Sequence, residues 1–265
     1  VYIISASFSN GNAIQSGEVF LWPVDVTLAG YEAVFKHRLI ISGYLNTIFY
    51  ALLGTLLNVS ATLICAYPLS RRDMQWKGFY MFLFVFTMYF GGGPVPTYLV
   101  VKQTGLMNSM WALFLPGGVG VGNMIIMRNF FENSIPREMI EAAVIDGASK
   151  WTTFYKIVVP LSRSIMAVMV VFSMVAYWND WFTALIYLPG EEKAPLPLIL
   201  RNILIKSSAS ASQASTISVG YAELNKLTEM IKFSSIIVAA APMLVIYPFV
   251  QKYFEKGFMA GAVKG

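Results

Sequence analysis

Charge, cysteine and histidine are all scarce in this chain. Only 12% of its 265 residues are Asp, Glu, Lys or Arg, where an ordinary soluble domain carries about 25%. Nineteen basic and 14 acidic side chains cannot cover a particle of this size in water, which excludes a solvated globule. One cysteine, Cys65, excludes an intramolecular disulfide and every metal site built on cysteine pairs. The lone histidine, His37, excludes motifs that need two, such as the zincin helix, and reads as a polar residue at a membrane boundary. No Lys/Arg cluster interleaved with aromatics is found, which excludes nucleic acid as a partner. Nor is there a Ser–His, paired-Asp or metal-ligand set of the kind an intramembrane enzyme needs.

What the chain has in place of charge is apolar length. Hydrophobic residues make up 57% of it and the mean hydropathy is +0.61. A bilayer core of about 30 Å takes about 20 apolar residues to cross as a helix. Leu39 to Ser70, Gly78 to Val101, Gln103 to Met127 and Phe233 to Gln251 carry no charge, and Ser164 to Gly190 is interrupted only by Asp180. These windows predict five membrane spans. The segment Val1-Tyr-Ile-Ile-Ser-Ala-Ser-Phe8 reads as the last turns of a sixth span, mostly missing from the chain. The fold class is therefore all-α and polytopic, a single membrane domain over residues 1–265 with its membrane core at about 38–252.

Cytoplasmic loops of membrane proteins collect Lys and Arg. If the N-terminal segment exits away from the cytoplasm, the inward segments are residues 71–77, 128–163 and the tail after Gln251, which hold 11 of the 19 basic residues. The net charge of +5 then serves topology against anionic lipid, and the C-terminus is cytoplasmic. Polar outer segments run from about Ser9 to Arg38 and from about Glu191 to Lys232, the second containing a Ser/Ala-rich patch at 207–215 that predicts a flexible tip. The tail beyond the last span, with Gly257, Gly261 and Gly265, reads as a basic, flexible end.

The inward segment 128–163 is too long and too patterned for a linker. Ile135-Pro136-Arg-Glu-Met-Ile-Glu141-Ala142-Ala143 places Pro and acidic residues where a helix start favours them. Val144 and Ile145 supply an apolar face, and Gly147 can end the helix at positive φ. A second helix over Trp151 to Val159 is predicted to stop at Pro160. Taken alone, this is an amphipathic helix–glycine turn–helix lying at the membrane surface.

Glu141-Ala142-Ala143, three residues, Gly147, nine residues, then Ile157-Val158-Val159-Pro160 resembles the EAA loop of ABC importer permeases, with Val159 where Leu is usual. Asn123, Arg128-Asn-Phe130-Phe131, Ile145-Asp146-Gly147-Ala148, Trp178-Asn179-Asp180-Trp181-Phe182 and Gly261-Ala-Val-Lys-Gly265 resemble the maltose-permease-like branch of carbohydrate importers, with a leaning to its polysaccharide-type members. The resemblance implies the type I ABC importer permease fold with six membrane helices, in the bacterial cytoplasmic (inner) membrane. It implies import of an oligosaccharide by alternating access, with no catalytic residue and no cofactor on this chain. ATP and magnesium would sit on two ATPase subunits, and the other partners would be a homologous second permease and an extracytoplasmic solute-binding protein. Residues 128–163 would be the coupling loop, with Glu141, Ala142, Ala143, Asp146, Gly147, Ile157 and Pro160 meeting the ATPase. Good helix propensity alone accounts equally well for each of the two alanines.

Two other features are weighed against plainer explanations. Pro116-Gly-Gly-Val-Gly120-Val-Gly122-Asn lacks the Lys-Ser/Thr of a phosphate loop, so it reads as a site of close helix packing and kinking in the bilayer. Asp180 lies inside a span, where a charge is expensive. With Tyr177, Trp178, Asn179 and Trp181 it forms either a sugar-lined translocation path or an aromatic belt at the interface with a structural hydrogen bond. An ion-coupled secondary transporter of small polar solutes is the alternative function, but it predicts acidic relays and an inverted repeat, and neither is present in the sequence.

Overall fold

The computed structural model describes residues 1–213 and 221–262, with side chains at 1–209, 223 and 225–245. All regular structure among the described residues is helical. Short helices α1 (Tyr2–Ser7), α2 (Gly11–Gln15) and α3 (Ala29–Phe35) precede α4 (Ile40–Ser70). Next come α5 (Lys77–Tyr89), α6 (Pro94–Gln103), α7 (Trp111–Phe114) and α8 (Val121–Ser134). The loop region holds α9 (Arg137–Ile145), α10 (Lys150–Thr153), a π turn at Phe154–Val158 and α11 (Val159–Leu161). It is followed by α12 (Arg163–Trp178), α13 (Phe182–Tyr187), a 3-10 turn at Glu191–Lys193, α14 (Leu196–Gln213) and α15 (Tyr221–Ala262).

By length and composition, α4 and the Asn225–Val245 stretch of α15 are long and apolar enough to cross a membrane. Two bent pairs meet the same test together: α5 with α6, turned by 113°, and Lys150–Leu161 with α12, turned by 80°. The charge-free window 103–127 is not one helix, because Gly105 at φ +73° and the Pro116-Gly-Gly run interrupt it on either side of α7. Apolar composition selects lipid as the solvent but does not make the backbone continuous. The Ser/Ala-rich patch also departs from expectation, since α14 continues through Gln213, as Ala and Ser after an apolar helix permit; the rest of it lies outside the described residues. Likewise α15 extends over Gly257 and Gly261 to Ala262, where a flexible end was predicted, and residues 263–265 lie outside the described ones.

The chain divides into two compact units, Val1–Phe49 with Trp178–Ile246 and Tyr50–Tyr177 with Tyr247–Gly265. In the first, Ala6, Ala13, Ile14, Val19 and Phe233 form a small core. Tyr44 donates to the Val238 carbonyl at 2.7 Å, and the Thr47 hydroxyl accepts from Leu196 N–H at 2.7 Å, serving an otherwise unpaired donor at the start of α14.

In the second unit, Val59, Leu63, Ala66 and Leu69 of α4 pack with Met124, Met127 and Phe131 of α8, Phe154 and Val158 of the π turn, and Met169 of α12. This core ties the long loop to the spans around it. The broken α7–α8 connection is held by Asn58 of α4, whose amide donates to the carbonyls of Gly117 at 3.3 Å and Gly118 at 3.1 Å while its oxygen accepts from Ser173 at 3.0 Å. Backbone freed inside a membrane protein must find such partners. Gly54 lets α4 approach the Tyr177 ring, which a Cβ there would meet at 2.9 Å. Gly54→Val should therefore destabilise the fold by about 1–3 kcal/mol, the usual range for overpacking, read as a lower melting temperature of the purified protein; unchanged melting would contradict the close contact.

Candidate functional site

The loop between α8 and α12 begins at Pro136, which precedes the first residue of α9 and places Glu138 in its first turn, where a carboxylate suits the helix dipole. The helix ends in a Schellman motif: Ala148 N–H donates to Ala143 O at 2.9 Å and Gly147 N–H to Val144 O at 3.0 Å, with Gly147 at φ +76°. Ser149 then caps α10, its hydroxyl accepting from Thr152 N–H at 3.1 Å. The turn expected at Gly147 is present with its hydrogen bonds.

Along α9 only Ala143 is buried, while Glu141, Ala142, Asp146 and Gly147 are exposed. Ile145 is 85% exposed and Val144 58%. An apolar ridge of this kind, beside a carboxylate and on a capped helix, has the form of a surface built to dock into a groove. Ile157 is half-buried and Pro160 is exposed. The second helix does not stop at Pro160. Proline lacks the N–H that would return to Lys156, and the ladder widens just before it, with Val159 N–H bonding to Phe154 O, so that the helix passes through to Leu161 before the 80° bend. A π turn of this kind absorbs one residue without breaking the chain direction.

A charge network missed by sequence reasoning fixes the approach to α9. Glu132 Oε1 accepts from Lys77 Nζ at 2.6 Å and from Arg128 Nη2 at 2.8 Å, and Arg128 Nε also donates to the Leu69 carbonyl at 3.0 Å. The end of α4, the start of α5 and the end of α8 are thereby joined. Burial pushes the Glu132 carboxyl up, but the Lys77 hydrogen bond and the charges of Arg128 and Lys77 outweigh it and hold the group below its ordinary range. Only the Arg128–Glu132 pair has a sequence signal, its i,i+4 spacing; Lys77 lies 55 residues away.

The stretch 177–181 is divided between the two units. The Tyr177 ring lies edge-on to Phe114 at 5.8 Å, within the second unit. In the first unit, Trp178 is 3% exposed and its indole N–H donates to Ala239 O at 3.1 Å. Asp180 caps α13, its Oδ1 accepting from Thr183 N–H at 3.1 Å. Asn179 and Trp181 are exposed. The Arg201 guanidinium sits 4.7 Å above the Trp181 ring, and among the described residues no carboxylate pairs with it. That Arg–Trp pair bridges 20 positions of sequence and had no signal there. His37 accepts from Leu39 N–H at 3.4 Å just before α4, a structural position. No group of His, Cys, Asp and Glu among the described residues could hold a metal.

Residues 40–260 match the family described as binding-protein-dependent transport system inner membrane component. The polygalacturonan/rhamnogalacturonan transport system permease protein YtcP of Bacillus subtilis (strain 168) is 40% identical over the whole chain and 91% of its own length. The melibiose/raffinose/stachyose import permease protein MelC of the same organism is 26% identical over 93% of this chain and 84% of its own. Among solved structures, a bacterial ABC transporter involved in the import of the acidic polysaccharide alginate superposes with a TM-score of 0.82 at 32% identity, covering 96% of this chain and 89% of the other. An all-helical chain with membrane-crossing helices, an exposed and capped α9, and a family match running from α4 almost to the end of α15 belongs to the binding-protein-dependent transport system inner membrane components, the permease subunits of ABC importers.

Proposed function

We propose that the chain imports an acidic oligosaccharide as one of two homologous permeases, working with two ATPase subunits and an extracytoplasmic solute-binding protein. ATP and magnesium act on the ATPases; this chain supplies the path and the lever. The observation that carries the coupling role is the exposed set Glu141, Val144 and Ile145 on a helix whose Ile140 packs against the α4–α8–α12 core. ATPase closure around ATP would push α9, and because Ile140 ties it to that core the displacement passes to the spans as a rigid-body movement. In this reading α9 and the C-terminus are cytoplasmic, and Ser208 of α14 faces outward. Asp180, engaged as a helix cap, is not available as the acidic relay an ion-coupled carrier would use.

For the substrate, Trp181 with Arg201 is the pair to which we assign recognition. An exposed indole stacks on sugar C–H faces, and a guanidinium held over that ring is oriented to take a carboxylate edge-on. The similarity to a permease named for polygalacturonan and to an importer of an acidic polysaccharide supports the acidic class. The test is ATP hydrolysis by the complex purified with its neighbours, stimulated by binding protein loaded with acidic or with neutral oligosaccharides. Stimulation by the acidic set is expected, and none by either set would overturn the assignment. Arg201→Gln should weaken the acidic response about tenfold, the worth of a charged hydrogen bond, and Arg201→Lys, which keeps the charge but loses the planar fork stacked on the ring, should retain only part of it. In a Cys65-free background, single cysteines at Ser149 and Ser208 should label from opposite faces of the membrane; same-side labelling would overturn the orientation.

A further inference from the structure

Between the end of α4 and the second half of the long loop lies a cleft of about 350 Å³, whose Arg71 and Asp73 also line the neighbouring cavity beside Glu141, Val144 and Ile145 of α9. Its walls are apolar: Ile64 and Tyr67 from the last turns of α4, Met74 from the loop that follows, and Trp151 and Phe154 from the second half of the long loop. Tyr67 and Phe154 lie with ring centroids 5.0 Å apart, and Trp151 stacks on Tyr155 at 5.9 Å. Trp151 and Tyr155 are each 60% exposed, as aromatic residues at a membrane–water boundary are.

The lining is charged in one place. Arg71 Nε pairs with Asp73 Oδ1 at 3.0 Å, and Lys150 Nζ lies 3.7 Å from Asp73 Oδ2. Two cations thus share one carboxylate, and among the described residues the Nη groups of Arg71 have no partner. The Arg71 hydrogen bond holds the Asp73 carboxyl below its ordinary range, so the cluster keeps one net positive charge at neutral pH. Position completes the description. Helix α4 has 31 residues, is long and apolar enough to cross a membrane, and ends at Ser70, so a cleft walled by its last turns opens at Arg71, where a helix crossing the bilayer would leave it.

We propose that this cleft is a binding site for an anionic phospholipid, an acyl chain lying between Tyr67, Met74 and Trp151 and the phosphate on Arg71 and Lys150. The volume falls in the range of ligand pockets, about 300–1,000 Å³. The net charge selects the lipid class. A zwitterionic headgroup would bring its own cation toward Lys150, whereas phosphatidylglycerol brings only the complementary charge. The site needs α4 to cross the membrane, which the family membership supports, and does not depend on the direction of transport or on the sugar.

The test uses the chain purified with its partners and reconstituted with phosphatidylglycerol or phosphatidylcholine carrying a photoreactive group in the acyl chain, with cross-linked peptides mapped by mass spectrometry. Phosphatidylglycerol is expected to label the peptides containing Tyr67, Met74 or Trp151 well above phosphatidylcholine. The double variant Arg71→Gln/Lys150→Gln should lower that labelling about tenfold, Arg71→Lys should preserve it, and Met74→Trp should fill the cleft and reduce labelling with the charges intact. Equal labelling by the two lipids, no labelling of these peptides in the wild-type chain, or cross-linking of the same residues to an ATPase subunit would each overturn the proposal. Because the readout is lipid contact, a complex that lacks substrate-stimulated ATP hydrolysis yet labels with phosphatidylglycerol would count against the transport reading and leave this site standing.

Discussion

Gly147→Val is expected to lower uptake and binding-protein-stimulated ATP hydrolysis by about tenfold or more, while Gly147→Asn stays near wild type. The argument is confined to the backbone. Gly147 has φ +76°, and a Cβ there would meet nothing within 4 Å, so crowding plays no part. A β-branched residue held in the left-handed region costs about 1–2 kcal/mol, and the chain escapes that cost by unwinding the turn. The bonds from Gly147 and Ala148 back to Val144 and Ala143 would then be lost, and α9 would present Glu141 and Ile145 at a different angle to its partner. Each 1.4 kcal/mol is about a factor of ten in an equilibrium constant, so the strain alone lowers the ratio of intact to unwound turn by about tenfold. Asn tolerates the left-handed conformation, which separates the backbone effect from the loss of glycine as such. The measurement is uptake and ATP hydrolysis side by side in proteoliposomes, with complex assembly checked by copurification. A Val variant with wild-type coupling would mean that the Schellman turn does not set the orientation of α9.

The turn was legible because one residue decides it. Glycine at the end of an amphipathic pattern, followed by Ser149 in capping position, carries its own explanation within a few positions. Pro160 shows the limit of that reasoning: its missing N–H does end the ordinary ladder, but Val159 N–H reaches back to Phe154 O and the helix continues. Charge-free length similarly picked out the apolar segments and could not show that 103–127 is broken, since the compensating bonds come from Asn58, far away in the sequence. Asp180 stood out as a charge in an apolar span, and its partner was close at hand, the N–H of Thr183 three residues on. An Asp–x–x–Thr start to α13 was readable from the sequence as a cap. Lys77 with Glu132, and Arg201 with Trp181, were not readable, because long-range pairs of charged and aromatic side chains leave no local pattern.

Glu132 gives the second large effect, and the geometry ranks its variants. In the wild-type chain one carboxylate serves Lys77 and Arg128 together. Removing it with Glu132→Ala leaves two cations facing each other in a partly buried place, and an uncompensated charge there is worth several kcal/mol. Lys77→Ala leaves Glu132 still paired with Arg128 at 2.8 Å and should cost much less. Coupled uptake is therefore expected to fall about tenfold or more in Glu132→Ala and only a few-fold in Lys77→Ala, with ATP hydrolysis in the absence of binding protein less affected in both, because the hydrogen bonds of the clasp join α4, α5 and α8 and include no residue of α9. Equal effects of the two substitutions would show that the network does not act through the shared carboxylate. Its pH dependence has a definite sign. The Glu132 carboxyl is held below its ordinary range in the folded chain, so its contribution is present above the unfolded value of about 4.3 and is lost as pH falls through the lower, folded value. The melting-temperature gap between wild type and Glu132→Gln should then be constant from about pH 8 to pH 5 and close only in stronger acid. A gap that closed near pH 6 would mean that the carboxylate is protonated far more easily than two bonded cations allow, and that the clasp is open in solution.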